Sequence, residues 1–293
     1  MGTLKVPSTI AQGLAWAQAQ GVDRLDAQLL VLHALGRPER ERAWLLVHDT
    51  DTLPEALHAA LQATVWRRAQ GEPLAYITGH REFYGLDLRV NTHVLIPRPD
   101  TETLVDWALE VLTSMAAANP LPARVLDLGT GSGAIALALK HTRPELQVSA
   151  VDFSTDALTV ARANAQQLRL DVGLIQGNWL AGVAGRFNVI VSNPPYIAAT
   201  DHHLSALAHE PIQALVSGAD GMDDIGTIIN QAPAHLLPGG WLLLEHGYDQ
   251  AAAVRAMLSA AGLQDAQSRR DLAGIERCSG AFFLANTLNR ANS

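Results

Sequence analysis

From residue 8 to 72 the apolar positions recur every three or four residues: Ile10, Leu14, Trp16 and Ala17, then Leu25, Leu29, Leu30 and Leu32, then Trp44 to Val47, then Leu57, Leu61, Val65 and Trp66. That spacing predicts helices. Breaks at Gly21, Gly36-Arg37-Pro38 and Leu53-Pro54 cut them into a bundle of four or five, with Trp16, Trp44 and Trp66 expected in its core. Between Glu72 and Asn91 the period falls to two. Phe83-Tyr84, then Leu86, Leu88 and Val90 separated by Asp87, Arg89 and Asn91, predict a hairpin turning near Gly85. Beyond it the prolines of Leu95-Ile96-Pro97-Arg98-Pro99 hold an extended path. Asp100 is placed to cap a helix from Thr101 to about Ala117, and Glu102 in its first turn complements the helix dipole.

From Ala123 onward strands and helices alternate, which predicts a parallel sheet covered on both faces. The expected strands are Arg124 to Leu128, Gln147 to Val151, Val172 to Ile175, Asn188 to Ser192, Trp241 to Glu245, Ala266 to Arg269 and Ala281 to Ala285, seven in all. Helices are expected from Ala134, over Ala157 to Leu168, over Ile225 to Leu237 before a Pro238-Gly239-Gly240 turn, and over Gln250 to Ala261. The division that follows is a helical bundle over 1–72, a hairpin linker over 73–96 and an α/β domain over 97–293.

With 293 residues, 48% of them hydrophobic, the chain is long enough for two cores. A single cysteine, Cys278, allows no internal disulfide and no cysteine-based zinc site, and the eleven histidines lack metal-ligand spacing. No metal is expected. With no apolar run of about eighteen residues, no membrane span is expected either, and the setting expected is reducing and cytoplasmic. Up to Ile96 there are nine Lys and Arg against ten Asp and Glu; after it, twelve against nineteen. An acidic second half argues against stable binding to duplex DNA through many phosphates.

Chemistry is concentrated in Phe187 to Tyr196, where an apolar strand is stopped by two prolines. Asn193 offers an amide at the strand's carboxyl end, and the Pro194 carbonyl offers a second acceptor. Pro195 fixes the backbone, and the Tyr196 ring offers a flat face. Such a set suits a planar –NH2 group with two protons to donate, held by orientation rather than by proton abstraction. Asn-Pro-Pro-Tyr is also an ordinary way to end a strand in a turn. Upstream, Gly129-Thr130-Gly131-Ser132-Gly133 follows Asp127 and lacks both the last glycine of a dinucleotide fingerprint and the lysine of a phosphate loop. A bare glycine turn flanked by Asp127 and Asp152 suits a ligand with cationic and hydroxyl groups, and S-adenosylmethionine fits. Asp152, about twenty residues past the glycines, is placed to accept from ribose hydroxyls. The competing role for Asp152 is to cap the following helix.

These motifs together resemble the class I S-adenosylmethionine methyltransferases that act on planar nitrogens, with their Rossmann-like seven-stranded domain. Added to them are Arg81-Glu82-Phe83-Tyr84, Leu95 to Glu102 and Leu243-Leu244-Glu245-His246-Gly247. The whole set resembles, over about residues 20 to 285, the enzymes that methylate the glutamine side-chain nitrogen of class I peptide chain release factors. The resemblance implies that Gly129 to Gly133, with Asp127, Asp152, Trp179 and Asn193, hold the cofactor. It implies that Asn193, Pro194, Pro195 and Tyr196 bind the glutamine of a Gly-Gly-Gln loop, and that the helical bundle seats the release factor. It departs at Asn178, where the family commonly has an acid, so contact with the adenine amino group would be made differently. Asn-Pro-Pro-Tyr is shared with methyltransferases of nucleic-acid bases, and another protein's glutamine is a further alternative substrate. A cofactor-binding scaffold without turnover is the non-enzymatic alternative.

Overall fold

Short polar side chains set the first helix starts. Thr9 and Asp23 accept hydrogen bonds from the backbone of Gln12 and Asp26, and so cap α1 (Ile10–Ala19) and α2 (Arg24–Ala34). The computed structural model describes residues 8–118 and 122–284, and the chain divides into two compact units, Met1–His80 and Arg81–Ser293. In the first, α3 (Arg42–Val47), α4 (Glu55–Ala69) and α5 (Leu74–Thr78) complete a bundle around Ile10, Leu30, Leu32, Leu45, Leu53 and Leu61. The expectation for the tryptophans is corrected here. Trp16 and Trp44 are half-buried at the edge of this core, whereas Trp66 is 64% exposed. On α4 the buried positions are Leu61 and Val65, and a residue one step past Val65 is turned about 100° away, toward water.

A hairpin comes next in the chain, β1 (His80–Phe83) and β2 (Leu86–Arg89), joined by Tyr84 and Gly85 at φ 51° and 76°. Two successive left-handed residues match the twist of the flanking strands, which is what a two-residue hairpin requires. Tyr84 is held there by Glu102, which accepts from its N–H at 3.1 Å, and by Asp106, which accepts from its hydroxyl at 2.6 Å. Glu102 therefore anchors the hairpin in addition to opening a helix. The expected cap at Asp100 is absent. Pro99 starts a tight helical turn, Pro99–Thr101, before α6 (Glu102–Ala118), so Asp100 lies inside that turn and faces Arg277 at 3.9 Å.

Seven strands form one sheet: β3 (Arg124–Leu128), β4 (Gln147–Asp152), β5 (Gly173–Gln176), β6 (Phe187–Ser192), β7 (Leu236–Glu245), β8 (Gln264–Arg270) and β9 (Glu276–Phe282). Their order is β5-β4-β3-β6-β7-β9-β8, with β3 to β7 parallel and β9 antiparallel to both neighbours. One face packs on α6 and on α7 (Ala134–Thr142) through Leu104, Trp107, Leu137 and Leu139. The other packs on α9 (Asp223–His235) and α10 (Ala251–Ala260) through Ile225, Ile229, Val254 and Leu258. The remaining helix, α8, spans Thr155–Leu168.

Two boundaries differ from expectation. α9 ends at His235 rather than Leu237, and Pro238-Gly239-Gly240 forms a bulge inside β7, so that Phe187 pairs with Leu236 but Val189 pairs with Trp241. The last strand lies at Glu276–Phe282 rather than Ala281 to Ala285, and Ala285 lies outside the described residues. Its buried side is made of small residues because large ones already fill the space. A Cβ on Gly280 would stand 2.5 Å from Leu243 and 3.0 Å from Trp107. Gly280→Ala is therefore expected to destabilise the protein by about 1–3 kcal/mol, read as a lower urea midpoint. An unchanged midpoint would show that the sheet and α6 are not in the contact described.

Candidate functional site

β3 and β6 are neighbours, but from β3 the chain runs outward through β4 to β5 at one edge, then crosses back to β6 on the other side of β3 and continues away to β7. Open α/β sheets bind ligands in the crevice at such a point, beyond the strands' carboxyl ends. A cavity of about 520 Å³ lies there, with walls that include Gly129, Gly131, Asp152, Phe153, Trp179 and Asn193.

The glycine turn builds its floor. Gly129, Gly131 and Gly133 have φ of 68°, 54° and 87°, the left-handed region that side chains disfavour. Gly129 is further restricted because a Cβ there would meet the Trp179 ring at 3.1 Å. The Gly131 N–H donates to Asp152 at 2.8 Å, and Asp152 also accepts from the Ser154 N–H at 2.9 Å. Burial raises the Asp152 pKa above the ordinary carboxylate value. The cap of α8 is Ser154, whose hydroxyl accepts from the Ala157 N–H, so Asp152 does not serve as that helix's cap.

Asp127 is fully buried beneath the turn. It accepts from the Thr130 hydroxyl at 2.6 Å and from the Ala136 N–H at 3.3 Å, while its other oxygen, Oδ1, has no hydrogen-bond partner. Burial pushes its pKa up to about 7. Trp179, itself at φ 52°, donates from its ring N–H to Asp224 at 3.0 Å, and the Asp224 N–H donates to Ser217 at 2.8 Å.

At the end of β6, the Ser192 hydroxyl donates to the Leu128 carbonyl at 2.7 Å and so ties that strand end to β3. Asn193 is half-buried, and its Nδ2 donates to the Thr101 hydroxyl oxygen at 3.2 Å. With that end held, Oδ1 is the end left for a ligand. Beyond the buried Pro194, the Tyr196 carbonyl accepts from Gln250 at 3.0 Å. Gly221, at φ 79°, passes so close to that carbonyl that a Cβ would stand 2.2 Å from it. The Tyr196 hydroxyl donates to Glu245 at 3.3 Å; burial, then the Glu245 charge, push the phenol's pKa well above its ordinary value.

Of the residues singled out in the sequence, Gly129, Gly131, Asp152, Trp179, Asn193 and Pro195 line the cavity. Asp127, Thr130, Ser132, Gly133, Pro194 and Tyr196 are not on that lining and shape it from behind. Sequence reasoning missed Phe153, which is 68% exposed on the cavity wall, and Thr101, which holds Asn193. An aromatic residue directly after the strand-end acid was the available signal for Phe153; Thr101 had none. Asp201, His202 and His203 place three ligand-type atoms within 4.8 Å of one another, away from this lining, with the His203 ring already bonded to Asp201.

The lining contains Asp152, Asp156 and Asp224 but neither Lys nor Arg. It suits a ligand with cationic and hydroxyl groups rather than phosphates, and the glycine turn admits it closely. No helix among the described residues is long and apolar enough to cross a membrane.

Two family descriptions match the chain: "Methyltransferase small domain" over residues 101–251 and "PrmC N-terminal domain" over residues 14–79. Among curated proteins, the "Release factor glutamine methyltransferase" of Bordetella pertussis is 49% identical, covering 89% of this chain and 96% of its own length. The protein of the same name from Xylella fastidiosa strain Temecula1 is 48% identical, over 94% and 100%. Among solved structures, the "hMettl16 catalytic domain in complex with MAT2A 3'UTR hairpin 1" aligns with a TM-score of 0.56 at 15% identity, covering 80% of this chain and 82% of that one. At that identity the likeness is one of fold.

The raised pKa of Asp127 makes a linkage prediction. A carboxyl titrating near 7 in the folded chain and near 3.8 unfolded contributes stability that is greatest below about pH 4 and is lost as the pH rises through about 7. Urea denaturation at pH 5 and pH 8 should therefore show a smaller difference for Asp127→Asn than for the parent protein. An identical difference would mean that Asp127 is ionised across this range.

Proposed function

The chain belongs to the release factor glutamine methyltransferase family, and we propose that it methylates the glutamine side-chain nitrogen in the Gly-Gly-Gln loop of class I peptide chain release factors. When bound, S-adenosylmethionine supplies the methyl group, carried on a sulfonium. The observation that carries the reading is the Asn193 amide, tied by its NH2 end to Thr101 at the rim of a cavity lined by glycines and acids.

Asp152 at the end of β4 is assigned to the ribose hydroxyls, and the cavity acids to the cofactor's cationic end. Phe153 and Trp179 supply flat apolar surface for the adenine. Asn178, also on the lining, stands where the family commonly has an acid and offers its own amide instead. The N-terminal helical unit, matched over 14–79, is assigned to seating the release factor.

Amide nitrogen is a poor nucleophile because its lone pair is delocalised into the carbonyl. Asn193 Oδ1 and the Pro194 carbonyl each accept one N–H of the glutamine amide, which aligns its nitrogen for attack. The same two acceptors stabilise positive charge as it grows on that nitrogen, so they favour the transition state over the ground state. Pro194 and Pro195 limit the backbone's freedom, and the contacts at Tyr196 and Gly221 pin the loop from behind. The acceptors are thus in place before the substrate arrives.

The test is to incubate the protein with methyl-labelled S-adenosylmethionine and, separately, a release factor, total RNA and DNA. Label on the glutamine of Gly-Gly-Gln, located by peptide mass spectrometry, is the expected result; label on nucleic acid alone would overturn the reading. Asn193→Ala should lower turnover by about a hundredfold or more while cofactor affinity changes little. Asp152→Ala should weaken cofactor binding by about 1.5–3 kcal/mol, roughly ten- to a hundredfold, measured by calorimetry. Normal affinity in that variant would remove the ribose assignment.

A further inference from the structure

Glu210, in the long connection after Tyr196, is a buried acid outside the cavity lining, with its side chain 3% exposed. One carboxylate oxygen accepts from the Ile96 N–H at 3.2 Å, and the other is ion-paired with the Arg98 guanidinium. These partners lie 114 and 112 residues earlier in the chain, in the proline-flanked stretch that leads to α6. Val94 and Leu95, just before Ile96, line the cavity, and so do Pro211, Gln213 and Ala214, just after Glu210. One carboxylate therefore joins two separate stretches of the cavity wall.

The same contacts close a ring that begins and ends at Asn193. The Arg98 carbonyl accepts from the Thr101 N–H at 3.2 Å, which forms the tight turn ahead of α6, and the Thr101 hydroxyl accepts from Asn193 Nδ2 at 3.2 Å. In the other direction the chain runs from Asn193 to Ile197, whose N–H donates to the Leu215 carbonyl at 2.9 Å. The Leu215 N–H donates to Ile212 at 3.1 Å and the Ala214 N–H to Pro211 at 2.9 Å, which leads back to Glu210.

We propose that Glu210 is a positioning residue for methyl transfer: by holding the Ile96 N–H and the Arg98 guanidinium it sets the 97–101 turn, and so the place at which Thr101 meets Asn193. This deepens the reading of Asn193 as an acceptor for the substrate amide and rests on it. Pro97 and Pro99 have no N–H, so a regular backbone ladder cannot hold this stretch. Its anchor must come from side chains. Burying a carboxylate is costly unless it is paired and hydrogen-bonded, and an apolar side chain would fill the same space without that cost. An apolar side chain would not, however, fix two points of a turn. A misplacement of about 1 Å, passed on to Asn193, is enough to cost about a hundredfold in rate.

The test is a double-variant cycle, with kcat measured at saturating cofactor on whichever acceptor the parent protein labels. Glu210→Gln keeps an acceptor for Ile96 but loses the ion pair with Arg98, and should lower kcat about ten- to a hundredfold. Thr101→Val removes the acceptor for Asn193 and should lower kcat by a comparable factor. In the double variant the two losses should not multiply: its kcat should lie within about threefold of that of Thr101→Val alone, because the contact that Glu210 serves has already gone. Parental kcat in Glu210→Gln would overturn the proposal. So would a double variant whose loss is the product of the two single losses, which is what a general loosening of the fold would give. Should Glu210→Gln not fold, Glu210→Asp takes its place in the cycle, since it keeps the charge but is one methylene too short to hold both partners. The Asn193 reading is judged separately: it fails if Asn193→Ala keeps parental kcat, whereas the role of Glu210 fails on the cycle with Asn193→Ala still impaired.

Discussion

The hydrogen bond from Asn193 to Thr101 determines what the cavity can recognise, since an amide side chain is donor at one end and acceptor at the other. Thr101 comes from the turn ahead of α6 and Asn193 from the end of β6, so the contact depends on α6 lying across the sheet. That packing rests in turn on Trp107, fully buried against a strand, β9, that has kept Gly280 small beneath it. The core of the α/β unit and the orientation of one amide are therefore linked by a short series of contacts.

The glycine side of the cavity obeys a different constraint. Three left-handed glycines let the backbone approach a ligand closely, and the Trp179 indole occupies the space that a side chain at Gly129 would need. Asp152 is held by two backbone N–H groups, and Trp179 is held by Asp224. Groups that line the cavity thus hold one another in place, which limits the entropy lost on binding.

Much of this was legible in the sequence because buried parallel strands are continuous apolar runs and loops of special geometry need glycine and proline. Arg124 to Leu128 and Asn188 to Ser192 were plain on that ground, as were the glycine turn and Asn193. The last strand was misplaced because its buried residues, Cys278, Ser279 and Gly280, are small and carry little hydrophobic signal. Pro238-Gly239-Gly240 reads as a turn, yet the sheet absorbs it as a bulge. Asp100 had the chemistry of a cap but lost the position to a turn begun at Pro99. Thr101 was not legible as the partner of Asn193, since the two lie far apart in sequence and only the fold joins them. Trp66 illustrates the converse: helical spacing shows that a stripe exists but leaves its edge undetermined by one position.

Catalysis in this account is the placing of two acceptors before a glutamine amide, and the most direct measurement is a structure with a Gly-Gly-Gln peptide and S-adenosylhomocysteine bound. The account predicts the glutamine NH2 within about 3.2 Å of both Asn193 Oδ1 and the Pro194 carbonyl, with Asn193 Nδ2 still on Thr101. A glutamine that turned its carbonyl oxygen toward Asn193, or lay beyond reach of it, would contradict the account.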